Sequence, residues 1–206
     1  MMMNLVRVGV IAGALAVSSL VAPAAQAYGP TEPPGPVRNV QTVDGWGAAS
    51  ISWWDPDTGG GWETAYHLRV LDPTGTVVAT HTNSGFNTRH TFGQLENGTT
   101  YTIEITAEND IGTGPPMSGQ VTPYVPDTFT ELYIYGECPG WTVVNPNRFP
   151  VTFTWETSKA SGINVIREGD GRKIVPDGDP NKFSVYVDGE LHDKDDEGAC
   201  PRTSKK

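Results

Sequence analysis

From Tyr101 to Ala107 the chain reads Tyr-Thr-Ile-Glu-Ile-Thr-Ala, apolar and polar residues in strict alternation. Successive side chains of an extended strand point to opposite faces, so this pattern puts one face in a core and the other in water. A helix cannot use a period of two. The same period recurs in Ala49-Ser50-Ile51-Ser52-Trp53, in Tyr66-His67-Leu68-Arg69-Val70 and in Val151-Thr152-Phe153-Thr154-Trp155. Gly, Pro, Asn and Asp punctuate the chain between such segments, and no sustained 3.6-residue period follows the first 27 residues. The fold class expected is all-β, with half-buried antiparallel strands packed as a sandwich.

The first 27 residues are of another kind. Arg7 is followed by the apolar run from Val8 to Val21, then Pro23 and Ala25-Gln26-Ala27. This is the build of a secretory signal peptide, cleaved after Ala27, and the run is shorter than the roughly 20 residues that span a bilayer. The mature chain is therefore expected to be secreted, extracellular and not inserted in a membrane. The formal charge is −10, and removing a leader that carries only Arg7 makes it −11. A surface of that sign repels phosphate backbones, which argues against nucleic acid as a partner.

Residues 33–124 are bracketed by Pro33-Pro34-Gly35-Pro36 and Thr122-Pro123. Within them Ser52-Trp53 is followed by Asp55-Pro56, and Tyr66-x-Leu68-x-Val70 forms a further strand. Leu95-x-Asn97-Gly98-Thr99-x-Tyr101 and Ala107-x-Asn109-x-x-Gly112-x-Gly114 come next, with Ser118 before the closing Thr122-Pro123. In this order and spacing the segment resembles a fibronectin type III domain. The resemblance implies a β-sandwich with Trp53, Tyr66, Leu95 and Tyr101 in the core. It also implies a tyrosine corner in which the Tyr101 hydroxyl bonds backbone of the preceding turn. Asn97 stands where the family usually has proline. Members serve as adhesion units, receptor modules and spacers, and their fold has no active site. The loop Asn109-Asp110-Ile111-Gly112-Thr113-Gly114 lacks the Arg-Gly-Asp element of integrin-binding members.

Tyr124-Val125-Pro126-Asp127 reads as a short, stiff linker that leaves two domains in a loosely fixed orientation. Residues 126–201 follow as a small β domain, immunoglobulin-like in general pattern. Leu132 to Tyr135, Val151 to Trp155, Ile163 to Ile166 and Phe183 to Val187 are its strands, with Val151, Phe153 and Trp155 facing inward. Asp188-Gly189 predicts a two-residue hairpin turn back to Leu191. The chain's two cysteines, Cys138 and Cys200, both fall here. In an exported chain an even count suggests a disulfide. A bridge would close a loop of about 62 residues, worth roughly 4 kcal/mol in the chain-entropy view.

Candidate sites are few. Trp46, Trp54 and Trp62 lie in turns or out of phase with the core, so their indoles could stack on sugar rings or simply cover loops. His67, His81 and His90 show no metal-ligand spacing, and His192 is the one histidine near the cysteines. The acidic loops at 168–171, 177–181 and 193–198 lack the EF-hand pattern and read as turns, so no metal or cofactor is expected. Asn97-Gly98-Thr99 matches a glycosylation acceptor in a eukaryotic secretory pathway. No hydrolase, metalloprotease or phosphate-loop motif occurs, and Glu104 and Glu108 lie on the polar face of one strand. The expectation is a non-catalytic binding or adhesion module whose partner is an extracellular polysaccharide or protein. The alternatives are a passive spacer or structural protein presenting the C-terminal domain, or an accessory to or component of polysaccharide degradation.

Overall fold

The computed structural model describes residues 31–56, 65–176 and 182–195, and every regular element among them is a strand. The leader, Trp62, the loop at 177–181 and Cys200 lie outside the described residues. The first sandwich comprises β1 (Arg38–Asp44), β2 (Ala48–Trp54), β3 (Ala65–Leu71), β4 (Val77–Ser84), β5 (Arg89–Gly93), β6 (Tyr101–Asn109), β7 (Gly112–Thr113) and β8 (Met117–Val121). Its sheets are β1-β2-β5 and β4-β3-β6, the latter extended at β6 by β7 and β8.

The alternation of β6 becomes burial. Tyr101, Ile103, Ile105 and Ala107 are buried, while Thr102, Glu104, Thr106 and Glu108 face outward. The antiparallel register sets Tyr66 opposite Ala107, Leu68 opposite Ile105 and Val70 opposite Ile103, so the apolar faces of β3 and β6 coincide. Ala49, Ile51 and Trp53 close the core from the other sheet, with Val37, Phe92 and Leu95 at its ends. The Trp53 ring meets Tyr66 edge-on at 5.2 Å. In the corner before β6, the Glu96 N–H donates to the Tyr101 hydroxyl at 3.1 Å. Gly98 turns there with φ of +83°, in the region that suits glycine. Asn97 is more than a turn residue, because its Oδ1 accepts from the Gly47 N–H at 2.8 Å and ties this corner to the β1–β2 turn.

The second sandwich comprises β9 (Tyr133–Glu137), β10 (Gly140–Val144), β11 (Val151–Glu156), β12 (Ser161–Ile166), β13 (Gly171–Ile174), β14 (Phe183–Val187) and β15 (Glu190–Asp195). Its sheets are β13-β10-β9 and β12-β11-β14-β15. In each half the first, second and fifth strands form one sheet, and the fourth, third, sixth and last form the other. The two halves therefore share one connectivity. Asp188 and Gly189 both take positive φ, 52° and 83°, as the tight turn between β14 and β15 requires. Trp155 departs from expectation: it is half-buried at the edge of the core, stacked near Phe183 at 5.8 Å, with its Nε1 donating to Asn164 Oδ1 at 2.8 Å. The fully buried indole is that of Trp141, on β10.

The linker expectation is also corrected, because the two halves are hydrogen-bonded to one another. The β1–β2 turn lies beside β11 as an isolated parallel bridge, Trp46 with Val151. The Trp46 N–H donates to Pro150 O at 3.0 Å and the Thr152 N–H to Trp46 O at 2.9 Å. The Thr152 hydroxyl donates to Gly47 O at 2.6 Å and accepts from the Gln94 N–H at 3.0 Å. Two glycines allow this approach: a Cβ on Gly45 would sit 2.1 Å from Pro150 O, and one on Gly93 would sit 2.8 Å from Val165 Cβ. The joint arises from close backbone packing, which the stiffness of a linker does not describe.

Candidate functional site

Three tryptophans were singled out by sequence, and the structure separates them. Trp46 is committed to the joint: its ring meets Phe129 edge-on at 5.0 Å and His192 at 6.3 Å, against the second core. It is half-buried there, and its remaining surface lines a separate depression with Gln94, Thr154 and Ile163. Trp62 lies outside the described residues. Trp54 follows the buried Trp53 along β2 and so points the other way, 63% exposed at the far end of the first sandwich.

Sequence reasoning missed the partner of Trp54. Phe86, 91% exposed, stands across a depression of about 420 Å³ from the same strand end. The signal was present: Asn83-Ser84-Gly85-Phe86-Asn87 places one aromatic ring amid turn residues, where no core can receive it. Its loop is held from beneath. Asn83, 3% exposed, donates through Nδ2 to Asn87 O at 3.0 Å and Arg89 O at 2.9 Å. The Trp53 N–H donates to Thr88 O at 3.1 Å. The ring is thus presented on a fixed loop.

The other wall comes from β1. A register shift between Arg38 and Gln41, with Asn39 at φ +47°, bends this edge strand beside Trp54. Arg38 Nε donates to Asp55 O at 2.9 Å, and the Tyr66 hydroxyl to Asp55 Oδ1 at 2.6 Å, which fixes the end of β2. Asn39, Gln41, Asn87 and Arg89 supply amide and guanidinium groups around the depression. Trp53 lies at its floor, and the buried Trp53 Nε1 has no hydrogen-bond partner among the described residues. Aromatic faces beside amide and hydroxyl groups can stack a ring that carries hydroxyls and bond its edge.

The remaining candidates are engaged elsewhere. Glu104 pairs with Arg69 and Glu108 with His67 across β6 and β3, on an open sheet face rather than across a cleft. His81 and His90 stack at 3.6 Å between β4 and β5, and burial, with the neighbouring His81, lowers the His90 pKa to about 4. Asp170 pairs with Arg167 at 3.1 Å. Asp193 Oδ2 accepts from the Ile134 N–H at 2.8 Å, and Asp195 Oδ2 from Trp141 Nε1 at 2.7 Å. These acidic residues act as hydrogen-bond acceptors within the second sandwich.

Residues 34–124 match the family model described as the fibronectin type III domain. The chain is also similar to solved structures. Against the rat CD45 extracellular region, domains d3-d4, identity is 23% over 42% of this chain and 48% of that one, with a TM-score of 0.39. Against the titin kinase and its flanking domains it is 18% over 55% and 27%, with a TM-score of 0.37. Against the FN5 domain of Drosophila Lar it is 18% over 45% and 99%, with a TM-score of 0.36. The chain thus spans 48% and 27% of the first two. Such domains are typically binding, adhesion or spacer modules and are generally non-catalytic. By its strand order, its tyrosine corner and the family match, the segment 34–124 of this chain is a fibronectin type III domain.

Proposed function

We propose that the mature chain is a secreted, non-catalytic binding module for an extracellular polymer, which it engages through the depression between Trp54 and Phe86. The observation that carries this reading is the pair of exposed aromatic rings set on hydrogen-bonded backbone around amide groups. Two large apolar side chains left in water forgo roughly 1.5–3 kcal/mol each of burial, and a ligand that covers them recovers it. The test is a pull-down on insoluble polysaccharides, with soluble oligosaccharides titrated against tryptophan fluorescence. The intact chain binds, and Trp54→Ala or Phe86→Ala abolishes both signals; retention of binding in both variants would refute this site.

The reading includes export, with residues 1–27 removed after Ala27, and two domains at 33–124 and 126–201. It is supported by the leader pattern and by the two separate cores. N-terminal sequencing of the secreted protein should begin at Tyr28. A Cys138–Cys200 bridge closing the second sandwich is part of the proposal. It is supported by the even count and by the absence of a free cysteine among the described residues. Thiol alkylation without reductant should leave the mass unchanged. The spacer reading is favoured by one observation, the hydrogen-bonded joint around Thr152, which suits a rigid rod. It prevails if the intact chain binds no polymer.

A further inference from the structure

The depression at Trp54 does not end at Arg89. The outward-facing residues of β1, β2 and β5 form rows across the sheet, Gln41–Ser52–Arg89 and then Val43–Ser50–Thr91. From Trp54 to Ser50 is four residues along β2, roughly 13 Å at the rise of a strand. The floor of this strip is small and hydroxylated. At its far end the second sandwich rises as a wall, where the Ser50 hydroxyl donates to Glu168 Oε2 at 3.3 Å. A groove of about 290 Å³ continues there between β5 and the turn joining β12 and β13.

The charge of this strip runs against that of the molecule. In a mature chain of formal charge −11, Arg89, Arg167 and Arg172 converge on the groove. Arg167 is tied to Asp170 at 3.1 Å. Arg89 and Arg172 are exposed, and among the described residues their guanidinium groups have no carboxylate partner. Arginine presents a planar fork that matches a carboxylate with two parallel hydrogen bonds. An acidic protein that holds two uncommitted forks, Arg89 at the aromatic platform and Arg172 in the groove that runs on from it, has the elements to take a chain of sugar rings carrying an acid group.

We infer that the polymer engaged at Trp54 and Phe86 is a carboxylated rather than a sulfated polysaccharide, its rings on the aromatic platform and its carboxylates on Arg89 and Arg172. The inference rests on the binding reading above and specifies its ligand class. The preference for carboxylate over sulfate follows from the acidic surface. A sulfated chain, which carries sulfates in addition to its carboxylates, meets stronger repulsion along its length than one that carries ring carboxylates alone, and the planar arginine forks match the latter. Beyond about 8 Å at physiological salt the rest of the surface is screened, whereas the closer ion pairs of the exposed arginines weaken as salt is raised further.

The experiment uses the full mature chain with three soluble probes: polygalacturonate, heparin, and a neutral xylan. Polygalacturonate is expected to bind best, and added salt to weaken it. Arg172→Gln, outside the Trp54 depression, should weaken polygalacturonate by about tenfold while leaving the xylan unchanged, the loss expected of one charge-assisted contact, and Arg89→Gln should weaken polygalacturonate more than xylan. Trp54→Ala should weaken both. If xylan binds as well as polygalacturonate and the arginine variants bind both normally, the acidic-ligand inference fails while the aromatic site stands. If heparin binds more tightly than polygalacturonate, the carboxylate assignment is overturned. If no probe binds, the binding reading itself falls. Circular dichroism of each variant confirms the fold, and the exposed arginines make unfolding an unsuitable explanation for selective loss.

Discussion

The two sandwiches of this chain share a strand order and differ in how each holds its central tryptophan. In the first, Trp53 sits on β2 among fourteen buried apolar residues, edge-on to Tyr66, and its Nε1 has no partner among the described residues. In the second, Trp141 sits on β10 among ten, stacked on Phe183 at 4.7 Å, and its Nε1 is bonded to Asp195. The smaller core is supported by polar clasps. Asp193 and Asp195 tie β15 to β9 and β10. The buried Asn145 bonds Phe149 O at 2.9 Å, Arg167 O at 3.1 Å and the side chain of Asn147. Asn147 in turn holds Thr130 at the entry to this half, through Thr130 O at 2.7 Å and the Thr130 N–H at 2.8 Å. One connectivity can thus be stabilised chiefly by apolar area or by a mixture of area and satisfied polar groups. A smaller core gains more from each satisfied polar group, although both ring nitrogens of His192 have no hydrogen-bond partner among the described residues.

The largest expected effect tests whether the halves stand alone. Trp53→Ala and Trp141→Ala should each cost about 3–5 kcal/mol by chemical denaturation. Because the joint couples the halves through Trp46 and Thr152, each variant should shift one shared transition. Two separated transitions would show that the joint does not couple them. Next is the clasp. Asp195→Ala strands the buried Trp141 Nε1 and should cost about 1–3 kcal/mol. The first sandwich offers no matching change, since Trp53 Nε1 lacks such a partner. An unchanged midpoint would refute the clasp.

Tyr101→Phe keeps the ring and removes the acceptor of the Glu96 N–H, so the midpoint should fall by about 1 kcal/mol. No equivalent corner exists at Phe183, which begins β14 without a hydroxyl. The smallest effect is that of pH. His90 has a pKa of about 4 in the folded chain against an ordinary 6.5, because burial and then His81 disfavour its charged form. The unfolded chain takes the proton first, so this contribution is complete above pH 6.5 and is lost as pH falls towards 4. Melting temperature followed through that window should decline, and His90→Gln should flatten the decline.

Much of the first sandwich was legible along the chain. Ile103, Ile105, Leu68 and Val70 alternate, and Leu95 to Tyr101 carries the corner, because each of these features depends on neighbours a few residues away. Asp188-Gly189 was legible for the same reason. Trp155 misled, since alternation places a side chain on a face but does not say how far the opposing sheet extends. The candidate site was half legible. Trp54 followed from its phase against Trp53, but Phe86 and Arg89 reach the same depression only because β5 pairs with β2.

Sequence by itself determined that this chain makes strands, which faces they bury, and that Trp53, Tyr66, Leu95 and Tyr101 lie within a fibronectin type III core. Tertiary structure alone decided that Trp46 enters the joint, that the acidic residues of β15 are acceptors for backbone and indole, and that Arg89 and Arg172 share a groove. The reason is physical. Facing direction is set by local backbone period, whereas the meeting of residues far apart in sequence is set by strand order and by glycines small enough to let two sandwiches touch.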